Sequence, residues 1–175
     1  MVTAEQARAS LAAHGRLKSQ PIEDWSGDFE LPPSVADFYH EVGPVNVAIE
    51  TGGNPIVLPR LSKLWKLQDG YRFVGRKRQR EQSWDEDWLV IADQGADPFI
   101  FSRETGGVSL AEHGEGTWEP VPLFPNLNAM AACLGLIGSW VDSGEVGSVL
   151  AKLTTLLGEP AESGRILSAL GFAVE

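Results

Sequence analysis

The strongest restriction on the fold is a helix that starts at two prolines and stops at a glycine. After Pro32 and Pro33, apolar residues recur at i, i+3, i+4 and i+7, which places them on one helix face: Val35, Phe38, Tyr39 and Val42. Proline is tolerated in a first turn because the N–H that it lacks would have no partner there. Gly43 and Pro44 then end the helix. We expect its apolar face to be buried beneath a sheet.

Short apolar segments in the middle of the chain predict that sheet. They are bounded by Gly, Pro, Asn and Asp, and we expect strands at seven places: 45–51, 56–58, 71–74, 88–92, 99–102, 108–110 and 118–124. A short helix is expected at 61–65, and a polar loop at 75–87. The 118–124 strand contains two prolines. Since proline cannot donate to a ladder, this strand should lie at a sheet edge or be only partly paired.

Helices are predicted at both ends of the chain. Thr3 and Gln6 have the spacing of a capping box, and the helix that follows is only weakly apolar, so we expect it at the edge of the core. Apolar stripes predict three more helices: 127–141, 146–157 and one that begins near Pro160. The chain divides into three segments: an N-terminal helix and loop (1–30), a central domain (31–141) and a helical C-terminal extension (142–175).

Length and composition indicate a globular protein. A chain of 175 residues with 43% hydrophobic and 22% charged residues is not disordered as a whole. No apolar run approaches the roughly 18 residues of a membrane span, and residues 1–6 lack the basic and apolar regions of a signal peptide. The one cysteine, Cys133, excludes an internal disulfide. We therefore expect a soluble protein of the cytoplasm that does not bind membranes.

The net charge of −10 is unevenly distributed. Residues 1–87 carry 11 basic and 13 acidic side chains, whereas residues 88–175 carry three basic and 11 acidic ones, a net charge of −8. Such a field repels nucleic acid and anionic membranes and favours a basic protein partner. The charge by itself is better explained by a requirement for solubility than by a partner.

Metal-binding patterns are absent from the sequence. The histidines, His14, His40 and His113, have no i, i+4 pairing, and a zinc site needs three or four convergent ligands. Asp93 and Asp97 flank a glycine, but the spacing of a calcium-binding loop is missing. The 93–97 segment is therefore predicted to be an ordinary turn. We expect no metal and no cofactor.

Catalytic and nucleic-acid-binding patterns are equally weak. Cys133 falls within an apolar helix, where a buried thiol is inert. Gly52-Gly53 lacks the spacing of a phosphate-binding loop. The basic run 76–80 precedes four acidic residues, so we expect a locally neutral, solvated loop. These observations favour a protein that is not an enzyme and does not bind nucleic acid.

A tryptophan followed by acidic residues is the predicted partner-binding patch. Trp84 precedes Asp85, Glu86 and Asp87 in the polar loop. Aromatic anchors rimmed by charge are typical of protein interfaces, and a loop position favours an exposed Trp84. Two other tryptophans next to acidic residues, Trp88 and Trp118, are better explained as core residues of strands.

The order of segments resembles the SUKH superfamily, which contains fungal cell-wall regulators and bacterial immunity proteins. The resemblance covers about residues 31–141. It rests on five features in order: Leu31-Pro32 with the helix at 35–39, Ile56-Val57-Leu58 leading into 61–65, the strand–turn–strand of 88–92, 95–98 and 99–101, the Gly107-Val108 hairpin, and the closing helix 128–141. In place of the Asn-Gly-Gly that the family often has after its first helix, this chain has 43–46, Gly-Pro-Val-Asn. The tail after Val141 lies outside the usual domain.

The resemblance implies an α+β fold, with helices packed on a twisted, mainly antiparallel sheet, and no catalysis. It implies an immunity protein that binds and neutralises a bacterial toxin domain, such as a nuclease. An intracellular scaffold or regulator without a toxin partner is the alternative from another class. A hydrolase ranks third, because it would require a convergent acid–base cluster in a deep pocket.

Overall fold

The computed structural model describes residues 1–114, 116–143 and 146–172. Within these ranges lie one 3-10 helix, Ile22–Asp24, and six α-helices: α1 (Ala4–Leu11), α2 (Pro33–Glu41), α3 (Leu61–Leu67), α4 (Leu127–Ser143), α5 (Val146–Leu157) and α6 (Pro160–Ala169). The same ranges contain ten strands: β1 (Arg16–Leu17), β2 (Pro44–Val45), β3 (Val47–Ile49), β4 (Ile56–Leu58), β5 (Phe73–Val74), β6 (Gln79–Arg80), β7 (Trp88–Gln94), β8 (Asp97–Ser102), β9 (Val108–Leu110) and β10 (Val121–Phe124).

Six strands form one sheet against which the helices pack, so the chain has an α+β fold. Their order is β10-β9-β8-β7-β4-β3, and every neighbouring pair is antiparallel. The other strands form two separate antiparallel pairs, β1–β2 and β5–β6. Strand β10 lies at the edge of the sheet, which confirms the position that its prolines predict.

One face of the sheet is buried against helices α1, α2 and α4. Alternate residues of β7 and β8 point to opposite faces, and Leu89, Ile91, Phe99 and Phe101 belong to the core on the helical side. The four apolar residues from Val35 to Val42 lie in the same core and are at most 2% exposed. The predicted helix and its buried face are thereby confirmed.

Helix α1 lies deeper than its weak hydrophobicity suggests. The capping box is present, since the Thr3 hydroxyl accepts from Gln6 N–H and the Gln6 side chain accepts from Thr3 N–H. The expected edge position is wrong, because Ala7 and Leu11 are fully buried. At Gly135 of α4, an added Cβ would lie 2.5 Å from a backbone oxygen of α1. Absence of a side chain at this glycine lets the two helix backbones approach closely.

The opposite face of the sheet is covered by aromatic residues rather than by a helix layer. Val90 and Ile100 point to this side and pack with an aromatic cluster formed by Tyr71, Trp84, Trp88 and Trp118. Trp88 is the first residue of β7 and packs half-buried on this cluster, which agrees with its expected place as a strand residue that packs inward. Trp118 is also half-buried in the cluster but precedes β10, so its expected place in a strand is wrong.

The C-terminal extension docks on the central domain. Val149, Leu153, Ile166 and Leu167 are buried and share the main core with the sheet. Arg165 of α6 donates hydrogen bonds to the carbonyl oxygens of Pro122 and Leu123 in β10. Helix α6 therefore covers part of the open sheet edge. Residues 144–145, beside the predicted segment boundary, lie outside the described ranges.

Two loops differ from expectation. The 75–87 loop contains strand β6, which pairs with β5 as a small hairpin. Strands β7 and β8 extend to Gln94 and Asp97, which leaves a two-residue turn at Gly95 and Ala96 with φ of 62° and 85°. Both φ values lie in the left-handed region that a tight hairpin turn requires.

In the part of the chain that the structure describes, no helix has the length and apolarity needed to cross a membrane.

Candidate functional site

Trp84 is buried, so the prediction of an exposed anchor at this position is wrong. Its side chain is 5% exposed, and its ring centroid lies 5.3 Å from that of Trp88, 5.6 Å from that of Trp118 and 6.0 Å from that of Tyr71. The indole Nε1 donates to the carbonyl oxygen of Trp88 at 3.3 Å. Among the described residues, no helix layer covers the apolar outer face of β7 and β8. Packing Trp84 on this face removes both the indole ring and the sheet face from water.

Of the acidic residues after Trp84, Glu86 and Asp87 form hydrogen bonds or ion pairs within the protein. Asp87 accepts from the Ser102 hydroxyl and from the Glu104 N–H, both at 2.6 Å. Glu86 is exposed but pairs with Arg80 and with the buried Arg72. Burial works to raise the pKa of Glu86, and the Arg80 and Arg72 guanidiniums outweigh it and lower the pKa. Asp85 and Glu86 stay at the surface, so contact of these acids with a partner remains a prediction.

A groove that sequence reasoning missed lies in front of the aromatic cluster. This front groove has a volume of about 640 Å³ and lies between the end of α3, the β7–β8 turn and the segment that leads to Trp118. Its lining includes both charges and aromatic surface: Lys63, Lys66, Leu67, Tyr71, Asp93, His113 and Trp118. Residues 22 positions apart meet here, because the Tyr71 hydroxyl donates to Asp93 Oδ2 at 3.2 Å. No local pattern could indicate this pairing.

The carboxylate of Asp93 is held in an unfavourable environment for its charge. It is half-buried, and burial raises its pKa, while the hydrogen bond from Tyr71 works in the opposite direction. Burial also raises the pKa of Tyr71, and the nearby charges of Asp93 and Asp97 raise it further. Among the described residues, no basic side chain forms an ion pair with Asp93.

His113 holds the rim of the front groove in place. Its backbone N–H donates to Asp97 Oδ1 at 2.9 Å, and its ring Nδ1 lies 2.6 Å from the same oxygen. These contacts fasten the segment before Trp118 to the start of β8. Asp97 thus binds a backbone amide 16 positions away rather than an amide of the 93–97 turn.

A second groove runs along the outer sheet edge, on the other side of the segment that carries Trp118. This edge groove has a volume of about 460 Å³, and of the described residues that line it none is basic: Leu110, Glu112, Thr117, Glu119, Val121, Leu123 and Ala169. Val121 is 57% exposed and contributes apolar surface to this groove. Glu112 and Glu119 are exposed beside it. Apolar surface rimmed by carboxylates suits the stem and head of a basic side chain.

Two of the four cations in the basic run 76–80 form ion pairs among the described residues. Arg78 pairs with Asp69 at 2.7 Å and lies 4.5 Å from the Phe73 ring centroid, and Arg80 pairs with Glu86. Two of the cations are thus neutralised by acids of the same region, although Asp69 comes from before the loop. The arrangement agrees with a solvated, locally neutral loop.

The described residues contain neither a cluster of metal ligands nor a reactive thiol. No group of three or more His, Cys, Asp or Glu side chains in these residues could hold a metal ion. Cys133 is fully buried, and burial raises the pKa of its thiol to about 12. The thiol is therefore protonated at neutral pH, as expected of an inert core cysteine.

Comparison of the chain with protein-family models, with curated proteins and with solved structures gives no match. The resemblance to the SUKH superfamily thus rests on the segment order and short motifs of this sequence alone.

Proposed function

We propose that this chain is a non-enzymatic protein-binding domain, an immunity protein that binds and neutralises a basic bacterial toxin domain. The observation that carries the proposal is the edge groove, where exposed apolar surface at Val121 lies between Glu112 and Glu119 with no basic residue among the described lining. The segment order that resembles SUKH proteins and the net charge of −8 in residues 88–175 support the same proposal.

The mechanism is electrostatic attraction followed by steric occlusion. A toxin that cleaves or modifies nucleic acid presents a cationic face, and an acidic protein approaches that face rapidly through long-range attraction. Affinity then comes from a smaller desolvated centre, for which the floor of the edge groove supplies apolar area. A toxin whose cationic face is covered in this way cannot reach its substrate.

The proposal predicts that an adjacent reading frame encodes a toxic domain, and co-expression with that domain tests it. We expect restored growth and a complex that co-elutes in size-exclusion chromatography. Association should slow markedly between low and physiological salt, because charges are screened over about 8–10 Å at physiological ionic strength. If the toxin forms no complex and growth is not restored, the immunity proposal fails and the scaffold alternative replaces it.

Charge variants locate the binding surface. Glu112→Gln combined with Glu119→Gln should slow association, because the substitutions remove the acids beside the edge groove. Glu41→Gln combined with Glu50→Gln is the matched control, since it removes the same charge from exposed positions at the end of α2 and beyond β3, at the opposite sheet edge. If both double variants slow association equally, the slowing is caused by the change in net charge and not by loss of the acids beside the edge groove. Asp85→Ser tests the acidic part of the patch predicted from the sequence.

A further inference from the structure

The front groove combines an uncompensated carboxylate with an aromatic wall. Asp93 lines the groove half-buried, with one oxygen bonded to the Tyr71 hydroxyl. Trp118 lines the same groove half-buried and packs on Tyr71 with 5.7 Å between ring centroids. A carboxylate beside an aromatic ring is the combination that binds an organic ammonium, through an ion pair and a cation–π contact.

Charges elsewhere on the groove do not neutralise Asp93. Lys66 pairs with Asp69, and Asp97 is engaged by His113. Lys63 is exposed in the lining of the groove and forms no ion pair among the described residues. The desolvation that raises the pKa of Asp93 is opposed only by the Tyr71 hydroxyl. A cation that entered the groove would therefore relieve an existing electrostatic cost.

The shape of the groove favours a cation at the end of an apolar chain. Leu67 lies half-buried in the lining, so a methylene stem can pack between Leu67 and Trp118 while its charged end reaches Asp93. Lys63, which is also in the lining, repels any cation that enters, so it weakens the attraction of the groove for an ammonium.

We propose that the front groove binds the ammonium group of one lysine side chain of the protein partner, paired with Asp93 and packed on Trp118. The inference rests on the proposed function, because it assumes a protein partner. In this proposal the two grooves have different roles. The acidic edge groove attracts the partner over a long range, and the front groove fixes the position of the bound partner through its lysine.

A small-molecule probe tests the groove without any partner. The probe is Nα-acetyl-lysine N-methylamide, titrated while the indole N–H resonance of Trp118 is followed by NMR, with the Nε-acetylated form as the uncharged control. The wild-type protein should show a saturable shift with the charged probe only. Asp93→Asn should abolish it, whereas Asp37→Asn, at an exposed position of α2, should leave it unchanged.

A second variant covers the case in which Asp93→Asn misfolds. Lys63→Glu changes an exposed side chain of the groove lining and should increase probe affinity several-fold, since it replaces repulsion by attraction. In the toxin complex, Asp93→Asn should raise the dissociation rate at least tenfold and change the association rate little.

The outcomes separate this inference from the proposed function. If the toxin complex forms and Asp93→Asn leaves both its dissociation rate and the probe shift unchanged, the lysine site is refuted while the immunity function stands. If no toxin complex forms but the probe binds in an Asp93-dependent manner, the groove is an ammonium site and the immunity function is refuted. Equal binding of charged and acetylated probes also overturns the inference.

Discussion

The side-chain amide of Gln68 forms two hydrogen bonds with the backbone of Val90. Gln68 Nε2 donates to the Val90 carbonyl oxygen at 2.9 Å, and the Val90 N–H donates to Gln68 Oε1 at 3.0 Å. Strand β4 pairs with β7 only near Asp93, so among the described residues no strand lies beside Val90 on that side. The glutamine amide takes the place of the missing strand and satisfies two buried backbone groups.

Loss of this amide should therefore be costly. Gln68→Ala leaves a buried donor and a buried acceptor of β7 unpaired, and we expect a loss of about 2–4 kcal/mol in the free energy of unfolding. Gln82→Ala, at an exposed position, should change it by less than about 0.5 kcal/mol. Denaturant melts measure both. Equal stability of the two variants would show that the Gln68 bonds contribute nothing.

The close approach of α1 and α4 should tolerate no side chain at position 135. A Cβ on Gly135 would lie 2.5 Å from the Ser10 carbonyl oxygen, so Gly135→Ala should destabilise the protein by about 1–3 kcal/mol. Gly164→Ala in α6 is the matched control, because a Cβ there meets no atom within 4 Å. It should stabilise the protein by about 0.5–1 kcal/mol, since alanine favours a helix interior. If the melting temperatures of Gly135→Ala and Gly164→Ala shift in the same direction, the close packing of α1 on α4 is contradicted.

Trp84 should behave as a core residue rather than as a binding anchor. Trp84→Ala empties the centre of the aromatic cluster and should cost about 3–5 kcal/mol in stability. Trp84→Phe should cost less, because a ring still fills part of the space. Asp85→Ser, at the neighbouring exposed position, should be close to neutral. A fully stable Trp84→Ala with impaired partner binding would restore the anchor hypothesis.

Truncation after Val141 should expose apolar surface. Helices α5 and α6 contribute Val149, Leu153 and Leu167 to the main core, so their removal should lower stability or change the oligomeric state. Leu153→Ala should cost about 2–5 kcal/mol, whereas Lys152→Ala, at an exposed position, should be nearly silent. Unchanged melting and sedimentation of the truncated protein would show that the central domain needs no extension.

The burial of Asp93 predicts a pH-dependent effect of its removal. Its pKa is raised in the folded protein, so ionised Asp93 destabilises the fold, and this cost is present at pH above the folded pKa. Asp93→Asn should therefore be more stable than wild type at neutral pH. The difference should shrink as the pH falls through the folded pKa, where the wild-type carboxyl becomes protonated.

Thermal melts at several pH values between neutral and mildly acidic measure this difference. Asp37→Asn, which removes an exposed carboxylate, provides the baseline. A wild-type protein more stable than Asp93→Asn at neutral pH would mean that the Asp93 charge is compensated in solution.

Part of the candidate site follows from the sequence. The uneven charge places most of the acidity in residues 88–175, and both glutamates of the edge groove belong to that half. The prolines near β10 place it at a sheet edge, which is where the edge groove lies. The front groove has no such signal, because Tyr71 and Asp93 belong to separate segments and the 93–97 turn has an ordinary composition.

The sequence by itself determined the local elements of this protein. Helix α2, its buried face and the capping box of α1 follow from residue spacing and turn chemistry, which act over a few positions along the chain. Tertiary structure alone decided which face Trp84 covers, that Gln68 pairs with Val90, and how deeply α1 packs against Gly135. Two of these outcomes depend on residues far apart along the chain, since Gln68 and Val90 are 22 positions apart and Ser10 and Gly135 are 125 apart. Periodicity carries no information at that range, because the energy of such contacts exists only once the sheet and the helices have assembled.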